Sequence, residues 1–123
     1  MFKIKIFDFI SSAHHLRDYK GKCETPHGHN WKIEIEFEGP ECDRTGMLID
    51  FKEAKTLLKK YIDRFDHKDL NTVAPFDLLN PTAENIAKFF FDSLKDDLKD
   101  RPVRISKVEV WESAGNCASY EDR

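Results

Sequence analysis

Between residues 31 and 38 the chain alternates without a break: Trp31, Ile33, Ile35 and Phe37 share one parity, and Lys32, Glu34, Glu36 and Glu38 share the other. A period of two with one wholly apolar face specifies a strand half-buried in an antiparallel sheet. A helix would scatter the same charges around its axis. Gly39-Pro40 closes the strand, and His27-Gly28-His29 stands at its entrance. Side chains two apart on an extended chain point to the same side, so both imidazoles can aim at one point, with Gly28 permitting close approach. Cys23 has room to sit beside that point, and His14, near the end of what reads as the first strand, offers a third imidazole. Two neighbouring strands could then supply three nitrogens to one ion, and three protein ligands with one open position is the pattern of catalytic zinc. The competing reading makes His27 and His29 polar residues of a turn ahead of a strand.

The remaining elements follow from periodicity. Phe2, Ile4 and Ile6 alternate with Lys3 and Lys5 as a first strand. Its phase blurs at Phe7-Asp8-Phe9-Ile10, where a bulge or a strand buried on both faces would fit. A first helix is predicted from Asp50, with Glu53 completing a capping box and Phe51, Ala54, Leu57, Leu58, Tyr61, Ile62 and Phe65 as its apolar stripe. It stops near Asp66-His67. A second helix follows Asn80-Pro81, with Thr82 as N-cap and Ile86, Phe89, Phe90, Leu94 and Leu98 at helical spacing. Residues 103–112 read as a third strand with a phase change in its middle, and residues 117–120 as a short fourth. The order β-β-α-α-β-β implies an α+β fold, a four-stranded antiparallel sheet with two helices packed on one face. Four strands cannot close a barrel alone, and symmetric association is a way to cover the edges.

A length of 123 residues sets the expectation of one domain, residues 1–123, with one core. No apolar run approaches the ~20 residues of a membrane span, and the alternating start reads as a strand, not a signal peptide. A net charge of -3 gives no general attraction to nucleic acid or to an anionic membrane. Three cysteines without a CxxC pair point to the reducing cytoplasm.

Several other groups carry chemistry on either of two readings. Cys23 could be a fourth ligand, an inert thiol, or an acid/base group whose pKa falls beside a metal or an imidazolium. Asp66-His67 is half of a proton relay, although a histidine at a helix C-terminus needs no such role. Glu112 shares parity with Val108 and Val110, so it either turns inward to receive a heterocycle's N–H and amino group or marks a strand end reaching water. Arg17, Lys20 and Lys22 form a basic loop, able to hold phosphates or simply solvated. His27-Gly28-His29 with Glu34 superficially matches a cupin motif, but Glu34 has the wrong parity and two central helices are foreign to a jelly roll.

Together these pieces resemble the tetrahydropterin synthase family. They are Ser12-Ala13-His14, Cys23-x-x-x-His27-Gly28-His29-Asn30, Gly46-Met47-Leu48-Ile49-Asp50-Phe51, Asp66-His67-Lys68-Asp69-Leu70-Asn71, Asn80-Pro81-Thr82-Ala83-Glu84-Asn85 and Val110-Trp111-Glu112, in family order over nearly the whole chain. The three-residue gap between Cys23 and His27 resembles the 6-carboxytetrahydropterin synthase branch, which serves queuosine and other 7-deazapurine synthesis. The resemblance implies a tunnelling fold, with trimers forming a barrel that stack as a homohexamer and active sites at subunit boundaries. It implies Zn2+ on His14, His27 and His29, Cys23 as the proton-transfer residue, and His67 backed by Asp66 in the relay. Glu112 would anchor the pterin ring, with Thr82 and Glu84 also in the substrate site. The implied reaction converts 7,8-dihydroneopterin triphosphate to 6-carboxy-5,6,7,8-tetrahydropterin, releasing acetaldehyde and triphosphate.

Three positions depart from the family pattern. His15 stands where a basic residue is common, and Ala83 replaces a hydroxyl residue common before the glutamate. Glu24, beside Cys23, resembles the glutamate of a related branch that forms a 6-hydroxymethyl pterin for folate. That activity and the 6-pyruvoyl activity are the alternatives within the family, and a non-catalytic metal- or pterin-binding module is the alternative outside it.

Overall fold

The computed structural model describes residues 1–20 and 24–122. Strands β1 (Phe2–His14) and β2 (His27–Gly39) are followed by helix α1 (Phe51–Phe65), a 3-10 turn at Leu70–Thr72 and helix α2 (Ala83–Asp97). Strands β3 (Arg104–Ser113) and β4 (Asn116–Tyr120) complete the chain. The sheet runs β1-β2-β3-β4 with every neighbouring pair antiparallel. The α+β order expected from periodicity is the order found.

β2 supplies the floor of the core. Trp31, Ile33, Ile35 and Phe37 are all essentially inaccessible, as the strict alternation requires. β1 pairs with it in unbroken register from Phe2↔Gly39 to His14↔His27, so the predicted bulge is absent. Nor is β1 buried on both faces: Ile6, Ile10, Ser12 and His14 turn inward, while Phe7 and Phe9 lie half-exposed on the far face. The phase change expected in β3 is present as a register shift opposite Glu36 and Phe37, which leaves Ser106 without a ladder partner. The shift lets Val103 and Ile105 on one parity and Val108 and Val110 on the other all reach the same core.

The helices cover that face with Ala54, Leu58, Ile62 and Phe65 from α1 and Ile86, Phe90, Phe91 and Leu94 from α2. Asp50 caps α1 by accepting from the Lys52 backbone N–H. Glu53 does not close the capping box: its carboxylate takes both arms of the Arg101 guanidinium at 3.0 and 3.2 Å. A bidentate ion pair outcompetes a return to the cap. Phe51 also departs from the expected stripe, being about half exposed at the first helical position. Thr82 caps α2 as predicted, its hydroxyl accepting from the Asn85 N–H at 3.1 Å. Among the described residues no helix is long and apolar enough to cross a membrane.

Candidate metal centre and its surroundings

The end of the β1–β2 ladder builds the site. His14 is the last paired residue of β1, directly across from His27, and His29 pairs with Ser12 two positions further along. All three therefore share the inner face, at the point where the apolar core gives way to polar side chains. Trp31 lies beneath them, its ring 4.8 Å from that of His14 and 5.3 Å from that of His29. Its indole N–H donates to the Ser12 carbonyl. The three imidazoles meet edge to face, with centroids 4.7, 4.8 and 5.2 Å apart, and one nitrogen from each lies within 4.8 Å of the others.

Hydrogen bonding fixes which nitrogens are available. Nδ1 of His14 faces the Pro81 carbonyl at 2.8 Å, and Nδ1 of His27 faces the Thr25 carbonyl at 3.0 Å. A carbonyl only accepts, so each Nδ1 carries the proton and each Nε2 holds a lone pair. Those two Nε2 atoms are 3.2 Å apart. Facing lone pairs at that distance repel unless a cation lies between them. Tetrahedral zinc with Zn–N bonds of about 2.0–2.1 Å holds its nitrogens roughly 3.3–3.4 Å apart. Among the described residues Nε2 of His29 is buried without a hydrogen-bond partner, and coordination would satisfy it. The donor set therefore fits a divalent ion. Burial, reinforced by the neighbouring imidazoles, lowers the pKa of His14 and keeps the ring neutral, as a ligand must be.

Glu112 turns inward from β3. Its carboxylate oxygens lie 3.8 Å from His14 Nε2 and 3.7 Å from His29 Nε2. It lines a cavity of about 410 Å³ together with His14, His27, Thr82, Glu84 and Glu24. Thr82 and Glu84 reach this wall because the N-terminus of α2 abuts the ligand cluster, although the Thr82 hydroxyl is already engaged in capping. Glu24 is no free loop acid: it exchanges backbone and side-chain hydrogen bonds with Leu16 and lies 3.9 Å from His27 Nδ1. Cys23, expected beside the cluster, and Lys22 of the basic loop lie outside the described residues.

Asp66 and His67 form the expected pair, Oδ2 to Nδ1 at 3.0 Å. The Ser11 backbone N–H, with the His67 ring assisting, holds the Asp66 carboxyl below the usual range, so it is ionised and able to orient the imidazole. The pair does not join the other site residues in the cavity. The His67 ring is 81% exposed and faces a separate depression that it shares with His29 and Asn30. Arg17 also departs from expectation. Nη2 of its guanidinium donates to the carbonyls of Asn71 and Phe76, because the loop folds back on the 70–80 segment, and Nη1 is buried, so the group is turned inward and not solvated.

The family model for 6-pyruvoyl tetrahydropterin synthase matches residues 3–123. The 6-carboxy-5,6,7,8-tetrahydropterin synthase of Haemophilus influenzae is 32% identical over 145 residues, covering 99% of this chain and 100% of that one. The 6-pyruvoyl tetrahydrobiopterin synthase of Drosophila melanogaster is 35% identical over 115 residues, covering 90% of this chain and 67% of that one. In structure, the 6-pyruvoyl tetrahydropterin synthase of Caenorhabditis elegans superposes with a TM-score of 0.85 at 25% identity, covering 99% of this chain and 96% of that chain. The sheet order, the imidazole cluster and an end-to-end match converge: the chain belongs to the 6-pyruvoyl tetrahydropterin synthase family.

Proposed function

We propose that this protein is a zinc-dependent lyase of the 6-carboxytetrahydropterin synthase type. It acts in the cytoplasm on 7,8-dihydroneopterin triphosphate and one water, forming 6-carboxy-5,6,7,8-tetrahydropterin with release of acetaldehyde and triphosphate, as a step in queuosine or other 7-deazapurine synthesis. The observation that carries the reading is the convergence of His14, His27 and His29, one nitrogen from each within 4.8 Å of the others, with the Glu112 carboxylate 3.7–3.8 Å from two of them. The full-length match to the Haemophilus influenzae relative supports the branch.

His14, His27 and His29 would hold the zinc, which when bound supplies Lewis-acid polarisation of substrate oxygens. Glu112 accepts hydrogen bonds from the pterin's N–H and amino group, placing the ring against the Thr82–Glu84 end of the cavity. Cys23 removes a proton from the substrate's side chain as a thiolate, the form favoured beside positive charge. His67, oriented by Asp66, passes that proton on. Because the pair sits outside the cavity of its own chain, it would complete the site of a neighbouring copy. That placement supports active sites at subunit boundaries in a homohexamer built from two trimers.

A second reading rests on Glu24. Its place on the cavity wall suits the 6-hydroxymethyl-forming branch, and the Drosophila melanogaster relative keeps the 6-pyruvoyl branch in view. Incubating zinc-loaded protein with 7,8-dihydroneopterin triphosphate separates them. Acetaldehyde and the 6-carboxypterin are expected in equal amounts; a 6-pyruvoyl or 6-hydroxymethyl product alone would reassign the branch.

A further inference from the structure

The β1–β2 ladder ends at His14↔His27, and the chain beyond it still needs partners for its backbone. Side-chain amides provide them. Asn71 accepts from the His15 N–H at 2.9 Å and donates to the His15 carbonyl at 3.0 Å. Asn80 does the same for Arg17, at 2.8 and 3.0 Å. Ala13 forms a bridge with Asp69. Alternate residues 13, 15 and 17 are thus docked on the 69–80 segment, while His14, between two of them, turns the other way into the cluster.

Asn80 differs from Asn71 in what else it holds. Its own carbonyl accepts from the Thr82 N–H and from Asn85 Nδ2, both at 2.9 Å. The peptide on either side of Pro81 is therefore fixed, and the Pro81 carbonyl is left facing His14 Nδ1 at 2.8 Å inside the protein, away from competing water. One amide side chain ties the strap that carries His14 to the turn that supplies His14 with its acceptor.

We infer that Asn80 is a positioning residue of the metal centre, setting the tautomer and aim of His14 through the Pro81 carbonyl. Partners that orient a ligating imidazole typically contribute about 10–100-fold to metal affinity. The consequence for zinc rests on the metal reading above; the consequence for the tautomer does not.

The test uses the full chain as wild type, Asn80→Ala and Asn71→Ala. In metal-free protein, long-range proton–nitrogen spectra of the neutral imidazoles should show His14 as the Nδ1–H tautomer in wild type and Asn71→Ala. In Asn80→Ala both tautomers should appear. By chelator competition, zinc affinity should fall about 10–100-fold in Asn80→Ala and less than about threefold in Asn71→Ala. Both asparagines clamp one backbone residue, so a similar loss of thermal stability in the two variants isolates the tautomer as the distinguishing signal. If Asn80→Ala does not fold, Asn80→Asp keeps the acceptor for Arg17, drops the donor, and is read in the same way. A single unchanged tautomer in the Asn80 variant, or the same shift in both variants, overturns the inference. Wild-type protein that binds no zinc would overturn the metal reading, while the metal-free spectra would still decide the role of Asn80.

Discussion

Replacing His29 with alanine is expected to abolish both zinc-dependent turnover and the stabilisation that zinc confers. Among the described residues the Nε2 atom of this ring is buried without a hydrogen-bond partner, a Glu112 oxygen lying 3.7 Å away, so coordination is what would satisfy it. Binding free energies of about 10–16 kcal/mol at four-ligand zinc sites put one ligand at roughly 3–4 kcal/mol, a loss of about 10²–10³ in affinity. Wild-type protein at a thousandfold excess of zinc over Kd should gain about 4 kcal/mol against unfolding. The His29→Ala variant at the same zinc concentration should gain little. Thermal melts with and without zinc read this directly. An equal rise in melting temperature for both proteins would remove His29 from the ligand set.

The second large effect is expected at Cys23. With the three imidazoles sufficient to hold the ion, Cys23→Ala should leave zinc at one per chain while kcat falls by about 10²–10⁴, the usual contribution of a positioned acid/base group. Metal analysis and turnover on the same sample separate the possibilities. Loss of zinc together with activity would make the thiol a ligand. Retained activity would move proton transfer to another group on the cavity wall, with Glu24, the near neighbour of Cys23 in sequence, the first to replace.

The legible part of the fold is the part with a period. The strict alternation of residues 31–38 specified the buried face of β2, and the same parity placed His27 and His29 together. The parity change in β3 announced the shift at Ser106, because Val103 and Val108 cannot otherwise share a core. Phe7 and Phe9 misled for a physical reason: large apolar side chains signal burial, yet here they stand half-exposed on the far face of the sheet. Glu53 misled because its competitor, Arg101, is forty-eight positions away.

At the site, the histidines and Glu112 were legible as residue types at strand ends, but their meeting depends on strand register, which a single strand's pattern does not contain. Asn80 was hidden more deeply. An asparagine before Pro-Thr at a helix start reads as punctuation, and nothing local says that its amide reaches back to Arg17. The Asp66–His67 pair could be read from adjacency, whereas its separation from the cavity is visible only in three dimensions.

The central claim is that His14, His27 and His29 hold one zinc ion between them. X-ray absorption at the zinc edge of protein loaded with one equivalent measures it most directly. The account predicts three imidazole nitrogens at about 2.0–2.1 Å, with the fourth position taken by oxygen, and loss of one nitrogen in His29→Ala. A shell of oxygens alone, unchanged when His29 is removed, would contradict it.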